Sequence, residues 1–284
     1  MPSLTTYPLP LPTGTRAFLI CCFLLVIGLA INTAEGHPPS AAYLGFDRNG
    51  YPGDESLAAL RATFRFTGYW LNNPPGSNSN SWQGKRMLLR SHGFGFLVLF
   101  NGRLDKQLKA SADATALGNS DGLSAAAATR AEGFPAGTVI FLDQEEGGRL
   151  LPEQRSYLHA WADSVIRAGY RAGVYCSGMP FRESRKETLI TAEDIRENAG
   201  GRDIVYWVAN DACPPSPGCA VTAPAPGASG NAFASVWQFS QSPRRANFAR
   251  GCSNYNRDGN CYAPGTSVFV DFDTADSPDP SHGR

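Results

Sequence analysis

No sign of charge predominates in this chain. Its 25 Lys and Arg residues balance 25 Asp and Glu residues, so the formal net charge at pH 7 is zero. The sequence contains neither a basic stripe nor an acidic run, which argues against nucleic-acid binding and against a charged disordered tail. Any partner must therefore be recognised by local groups of side chains.

The chain also lacks the motifs of nucleotide and zinc binding. No G-x-G-x-x-G or P-loop sequence follows a predicted strand, which argues against a nucleotide-binding sheet. The four histidines are scattered, and the cysteine spacings do not match those of zinc sites. We therefore expect neither a metal nor an organic cofactor.

No apolar run reaches the length of about 20 residues that a transmembrane helix needs. The longest run, 17–31, follows Arg16 and precedes the small residues around Ala34-Glu35-Gly36. This pattern predicts a secretory signal peptide over 1–36 and a short linker over 37–41, with a retained N-terminal membrane anchor as the alternative. The expected location is outside the cell or in the cell envelope, with membrane contact only through an uncleaved N-terminal segment.

The seven cysteines fit an exported protein. Two of them lie inside the predicted signal peptide, and export would place the others in an oxidising compartment. Cys176 follows an apolar strand and is expected to be a buried, inert thiol. Four cysteines allow three pairings, and the pairing of near neighbours around short loops is preferred. The preferred disulfides are Cys213–Cys219 and Cys252–Cys261.

The remaining sequence is a succession of short apolar runs separated by helical segments. A helix is expected around 54–62, an Ala-rich helix over 123–132, and the clearest helix between Pro152 and Gly169. Eight strands with such connections predict a βα repeat with parallel pairing and an irregular TIM-type (β/α)8 barrel. A doubly wound open sheet is the alternative. The barrel is expected over 42–276, before a disordered tail over 277–284. The predicted strands are 42–47, 66–71, 94–100, 138–143, 171–176, 203–209, 234–239 and 267–272.

Acidic residues follow several of these strands. The apolar run 139–142 ends abruptly in Asp143, and side-chain alternation places Glu145 on the same side and Glu146 on the other. Asp47 and Asp271 occupy comparable positions in the first and last predicted strands. Such acids are also common as turn residues and helix caps. Barrel strands bring their ends together at one face, and cleavage of a glycosidic bond needs paired carboxyl groups.

Aromatic and amide side chains accompany the acids. Aromatic rings stack on the apolar faces of sugars, and carboxylates or amides bind the hydroxyl groups. Trp and Tyr in strands are also frequent core residues. The candidate substrate-binding residues are Tyr69, Trp70, Tyr175, Trp207, Trp237, Gln238 and Asp273.

A series of motifs in a fixed order resembles a known family. They are Gly45-Phe46-Asp47, Asp143-Gln144-Glu145, 169–175 (GYRAGVY), Tyr206-Trp207-Val208-Ala209, Trp237-Gln238-Phe239 and Val270-Asp271-Phe272-Asp273. They are similar to the barrel motifs of glycoside hydrolase family twenty-five, the muramidase-type lysozymes. They are still more similar to a secreted glycoside-hydrolase-like domain once known only as a domain of unknown function. The resemblance spans roughly 42–276.

The resemblance implies roles for the acids. Glu145 would be the proton donor and Asp143 its neighbour, while Asp47 and Asp271 would position the substrate or complete the charge cluster. The implied substrate is a cell-wall polysaccharide such as peptidoglycan. The attacking group is left open between a second carboxylate, a water molecule and the acetamido oxygen of the substrate. The alternative is a non-catalytic carbohydrate- or wall-binding barrel with a degenerate site. A long polar segment, 71–85, is expected beside the cleft as a lid, a substrate rim or a disordered excursion.

Overall fold

The computed structural model describes residues 42–210, 223–241, 265–266 and 268–284. Within them, eight strands form a closed barrel in the order β1-β10-β9-β8-β5-β4-β3-β2, and β6 and β7 form a separate two-stranded sheet. This confirms the predicted TIM-type barrel. The strands are β1 Tyr43–Asp47, β2 Phe66–Trp70, β3 Gly95–Asn101, β4 Val139–Asp143, β5 Arg171–Ser177, β6 Pro180–Arg182, β7 Thr188–Ile190, β8 Ile204–Ala209, β9 Val236–Ser240 and β10 Asp271–Ala275.

Six α-helices are found among the described residues: α1 Leu57–Thr63, α2 Arg86–Ser91, α3 Asp105–Lys109, α4 Ala114–Ala131, α5 Pro152–Arg167 and α6 Thr191–Glu197. Helix α5 matches its prediction. Helix α4 begins nine residues before the predicted position 123, because the Asp113 carboxylate accepts the Ala116 N–H as an N-cap. Gly118 lets α4 approach α5 closely, since a Cβ there would lie 2.3 Å from the Tyr157 carbonyl oxygen.

The last strand departs from the predicted parallel pairing. Strand β10 is antiparallel to both β1 and β9, whereas the other neighbouring strands of the barrel pair in parallel. Its first residue, Asp271, is in register with Asp47 at the end of β1. The amino end of β10 therefore lies at the same rim as the carboxyl ends of the other strands.

The final residues also differ from the prediction of a disordered tail over 277–284. They pack against the amino ends of β3 and β4, at the end of the barrel opposite that rim. The Ser281 hydroxyl accepts the Val98 N–H (2.9 Å), and the Ser281 carbonyl accepts the Val139 N–H (2.8 Å). Val139 is the first residue of β4, and Val98 is in register with Ile140 where the pairing of β3 with β4 begins. The tail therefore supplies acceptors for backbone N–H groups at the start of this pairing.

The core contains two layers of side chains. One layer fills the barrel, and the other lies between the barrel and its helices, where Phe46, Phe64 and Phe94 form edge-to-face contacts. Cys176 is fully buried, as expected. Among the described residues, no helix has the length and apolar character required to cross a membrane. The predicted signal peptide and linker lie outside the described residues.

Candidate active site

A cleft of about 340 Å³ opens at the rim where the parallel strands end. Four carboxyl groups line it, together with aromatic and amide side chains from four strands. The sequence-predicted residues that the barrel brings together there are Asp47, Asp143, Glu145, Asp271, Trp70, Tyr175, Trp207 and Gln238.

Each acid arrives from a different position in the fold. Asp47 and Asp143 are the last residues of β1 and β4, and Glu145 follows two residues after β4 on the same side. Asp271 is the first residue of β10. The sequence predicts Asp271 at the carboxyl end of a parallel strand, but Asp271 reaches the rim because β10 is antiparallel to its neighbours.

The acids differ in their exposure to solvent. Asp47 and Asp143 are buried at 6% and 5% exposure, whereas Glu145 is exposed at the mouth of the cleft. Neither carboxylate oxygen of Asp143 has a hydrogen-bond donor among the described residues. A buried carboxylate without donors is costly, so the site is built to meet an incoming group.

Burial and mutual repulsion hold protons in this cluster. Burial raises the pKa of Asp143, and the negative charges of Glu145 and Asp47 raise it further. Burial also raises the pKa of Asp47, as does the nearby Asp271 charge, while a hydrogen bond from Gln238 partly opposes both. The cluster therefore retains protons at pH values at which isolated carboxyl groups have lost theirs.

A chain of hydrogen bonds orients Asp47. The Tyr175 hydroxyl donates to Gln238 Oε1 (2.8 Å), and Gln238 Nε2 donates to Asp47 Oδ2 (2.7 Å). Burial and the surrounding carboxylates raise the pKa of Tyr175, which keeps its hydroxyl protonated as a donor. The amide of Gln238 is therefore committed to positioning Asp47.

Aromatic side chains from three strands, β2, β5 and β8, form walls of the cleft. Trp70 donates its indole N–H to the Arg48 carbonyl (3.1 Å), and the rings of Tyr175 and Trp207 lie edge to face with centroids 4.8 Å apart. These contacts hold the rings in place around a space that suits the apolar face of a sugar.

Three predicted substrate-binding residues lie elsewhere. The Tyr69 hydroxyl donates to Glu132 (2.5 Å) in the helical layer, and the Trp237 indole donates to the Asn210 carbonyl (2.9 Å). Both residues are adjacent in sequence to cleft residues, Trp70 and Gln238, so alternation turns them to the outside of the barrel. Asp273 is fully buried beneath the cleft and does not line it.

The structure adds a cation that the sequence reasoning missed. Arg48 lines the cleft directly after Asp47, and its Nε is buried without an acceptor among the described residues. Its position directly after an acid at the end of a strand was the sequence feature that could have predicted Arg48 as a cleft residue. Glu146 is turned away, as expected, and accepts the Asp105 N–H (2.7 Å) and Gln154 Nε2 (2.8 Å).

The polar segment 71–85 supports the rim. Trp82 is fully buried and donates its indole N–H to the Asn49 carbonyl (2.9 Å), and the Ser81 hydroxyl accepts the Tyr51 N–H (2.9 Å). The segment therefore braces the loop that carries Arg48 and Asn49 into the cleft. These contacts contradict the expectation of a disordered excursion, and no residue of 71–85 lines the cleft.

Two further expectations concern metals and disulfides. Within the described ranges, no group of three or more His, Cys, Asp or Glu side chains is arranged to hold a metal ion. The predicted disulfide cysteines Cys213, Cys219, Cys252 and Cys261 all lie outside the described residues.

The closed α/β barrel and its carboxylate-lined cleft define a glycoside-hydrolase-like protein. The chain belongs to the family of Rv2525c-like, glycoside hydrolase-like domains, whose model matches residues 62–212. This confirms the resemblance drawn from the strand-end motifs. No curated protein matches the sequence.

Three solved structures match this chain at low sequence identity. An uncharacterized protein from B. stearothermophilus is 19% identical, with a TM-score of 0.52, over 82% of this chain and 95% of that one. The Mycobacterium tuberculosis Tat-secreted protein Rv2525c is 14% identical, with a TM-score of 0.49, over 83% and 95% of the two chains. The Clostridium perfringens spore cortex lytic enzyme SleM is 14% identical, with a TM-score of 0.49, over 85% and 69%. The first of these likenesses supports the barrel fold, and none of them assigns an activity.

Proposed function

We propose that this protein is a secreted glycosidase that hydrolyses glycosidic bonds of a cell-wall polysaccharide such as peptidoglycan. The observation that carries the proposal is the juxtaposition of the exposed Glu145 with the buried Asp143, whose two oxygens have no donor among the described residues. Family membership supports the class of reaction, and the predicted signal peptide supports secretion.

Glu145 is the proposed general acid. Because the pKa of Asp143 is raised, the pair holds a proton at a pH where a solvated carboxyl group would be ionised. The raised pKa places this proton on Asp143 in the resting site. In the proposed reactive arrangement the proton has shifted to Glu145, which reaches the mouth of the cleft and donates it to the leaving oxygen. Asp143 then carries the negative charge that stabilises the developing positive charge at the sugar carbon.

The remaining cleft residues position the sugar. Asp47 is oriented by Gln238, and Asp271 lies beside it in register at the same rim. We assign both residues to binding hydroxyl groups or the attacking group. Trp70, Tyr175 and Trp207 present ring surfaces to the apolar face of the sugar.

The test is incubation of the mature protein with purified peptidoglycan and with chitin-type oligomers, followed by mass analysis of the fragments. Glu145→Gln should reduce release of reducing ends by about 10²-fold or more, as expected for loss of a general acid. Glu146→Gln is the matched control, because its side chain faces α3 and α5 and keeps an acceptor oxygen for Asp105 and Gln154.

Two results would overturn the proposal. The acid assignment fails if Glu145→Gln retains full activity or if Glu146→Gln loses as much. Should the wild-type protein retain sugars on a binding column and cleave none of these substrates, the barrel is a carbohydrate-binding protein.

A further inference from the structure

Asp273 occupies an unusual position below the cleft. It lies on the same face of β10 as Asp271, two residues further along, and is in register with Gly45 of β1 and Gln238 of β9. Its side chain is completely buried. Neither substrate nor solvent reaches it, so it needs a partner inside the protein.

The partners of Asp273 are an indole and another acid. Its Oδ1 accepts the Trp207 indole N–H (3.1 Å). Its Oδ2 receives no hydrogen bond from an N–H or hydroxyl group of the described residues. Asp273 is in register with Gly45, two residues before Asp47 on the same face of β1, and its carboxyl group shares a side-chain hydrogen bond with that of Asp47. Two ionised carboxylates only accept hydrogen bonds, so this contact is satisfied only if one of them carries a proton.

We propose that Asp273 is a positioning residue that carries this proton, donating it to Asp47 while it accepts the indole N–H of Trp207. The proton belongs on Asp273 because Asp47 already accepts a hydrogen bond from Gln238, which favours the ionised form of Asp47. Asp273 thus fixes a cleft acid and a wall of the cleft at once. The functional part of this inference rests on the proposed glycosidase activity.

The charges around Asp273 support this arrangement. Burial raises the pKa of Asp273, and the Asp47 and Asp271 charges raise it further, while the Trp207 hydrogen bond opposes them. The raised pKa of Tyr175 on β5 keeps that side chain neutral. The negative charge of Glu145 raises the pKa of Asp47, and the Asp47 charge raises the pKa of Asp143. The guanidinium of Arg48 interacts electrostatically with Asp271. The protonated pair therefore carries one negative charge at the floor of an already acidic site.

Asp273→Asn is the decisive variant. Its carbonyl can accept the indole N–H and its amide can donate to Asp47, so it imitates a permanently protonated Asp273. We expect activity within about threefold of wild type at pH 5, and a loss of activity on the alkaline side that begins at higher pH than in wild type. Asp273→Leu keeps neither bond and should lose about tenfold or more in kcat.

Thermal unfolding tests the proton without any substrate. A carboxyl group with a raised pKa in the folded state stabilises the fold less as the pH rises from its ordinary pKa to the raised value. The Tm of wild type should therefore fall relative to that of Asp273→Asn over this range, by about 3 °C or more. Parallel Tm curves, or a loss of activity in Asp273→Asn as large as in Asp273→Leu, would overturn the inference. The Tm result holds whether or not the protein cleaves a glycan, so the two proposals can fail separately.

Discussion

At the cleft end of the barrel, buried polar atoms lack partners among the described residues, whereas at the opposite end comparable atoms are satisfied. Both oxygens of Asp143 and the Nε of Arg48 are buried without a partner beside the cleft. At the other end, Arg86 donates two hydrogen bonds to the Gly283 carbonyl (3.2 and 2.7 Å), and Asp279 accepts the Phe96 N–H (2.9 Å).

We interpret the cleft end of the barrel as the end that serves function and the opposite end as the one that stabilises the fold. An unsatisfied buried polar group costs about 1–3 kcal/mol, and beside the cleft an incoming ligand can recover that cost by supplying the missing partner. The tail residues 277–284 supply hydrogen-bond partners at the end of the barrel opposite the cleft. A Cβ on Gly95 would lie 2.1 Å from the Pro278 carbonyl oxygen, so the tail and β3 pack in close contact. The following changes test whether the two ends are as different as their hydrogen bonds indicate.

The largest effect is expected from Asp143→Asn at the cleft end. Glycan hydrolysis should fall by about 10²-fold or more, because the charge beside Glu145 is lost. The free energy of unfolding at neutral pH should not fall, since the repulsion from Glu145 and Asp47 that raises the pKa of Asp143 is removed. Steady-state kinetics and urea unfolding of the same preparation measure both quantities.

Asp121→Asn is the matched control. That carboxylate is also buried, but Arg103 Nη2 (2.8 Å) and the Tyr157 hydroxyl (2.8 Å) donate to it. The same substitution should lower the free energy of unfolding by about 1–2 kcal/mol and leave turnover unchanged. Equal stability changes at the two positions would contradict the distinction.

Arg86→Met probes the satisfied end. The variant loses both hydrogen bonds to Gly283 and the guanidinium contact with the Phe134 ring, 4.7 Å from its centroid. We expect the free energy of unfolding in urea to fall by about 2 kcal/mol, with kcat/KM per folded molecule unchanged. A large loss of kcat/KM in fully folded protein would show that the end of the barrel opposite the cleft also determines the geometry of the cleft.

The smallest expected effects come from the neighbours Tyr69 and Trp70. Tyr69→Phe removes the hydrogen bond to Glu132 and should cost about 1 kcal/mol of stability without altering KM. Trp70→Ala should weaken retention of sugar oligomers by about three- to tenfold, because a ring that lines the cleft is removed. Affinity electrophoresis in a glycan gel measures the change in binding, and thermal melts measure the change in stability. A loss of binding in Tyr69→Phe would contradict the assignment of Tyr69 to the outside of the barrel and Trp70 to the cleft.

Local patterns in the sequence predicted much of this molecule. Short apolar runs indicated the barrel strands, although the last strand begins only at Asp271 within the predicted 267–272. Alternation placed Glu145 and Glu146 on opposite sides because that geometry depends only on neighbouring residues. Alternation did not show which side faces the barrel interior. The strands β2, β4 and β9 are buried on both faces, so hydropathy does not distinguish Tyr69 from Trp70 or Trp237 from Gln238.

Local sequence patterns were enough to indicate the class of fold and the acids at the strand ends, since strand length and alternation depend on neighbouring residues. The family came from the resemblance of the ordered motifs. The tertiary structure alone decided that β10 runs antiparallel, that Asp273 lies beneath the cleft against Asp47 and Trp207, and that the final residues close the opposite end. These features depend on hydrogen bonds between residues far apart in sequence, and such bonds form only when the barrel closes.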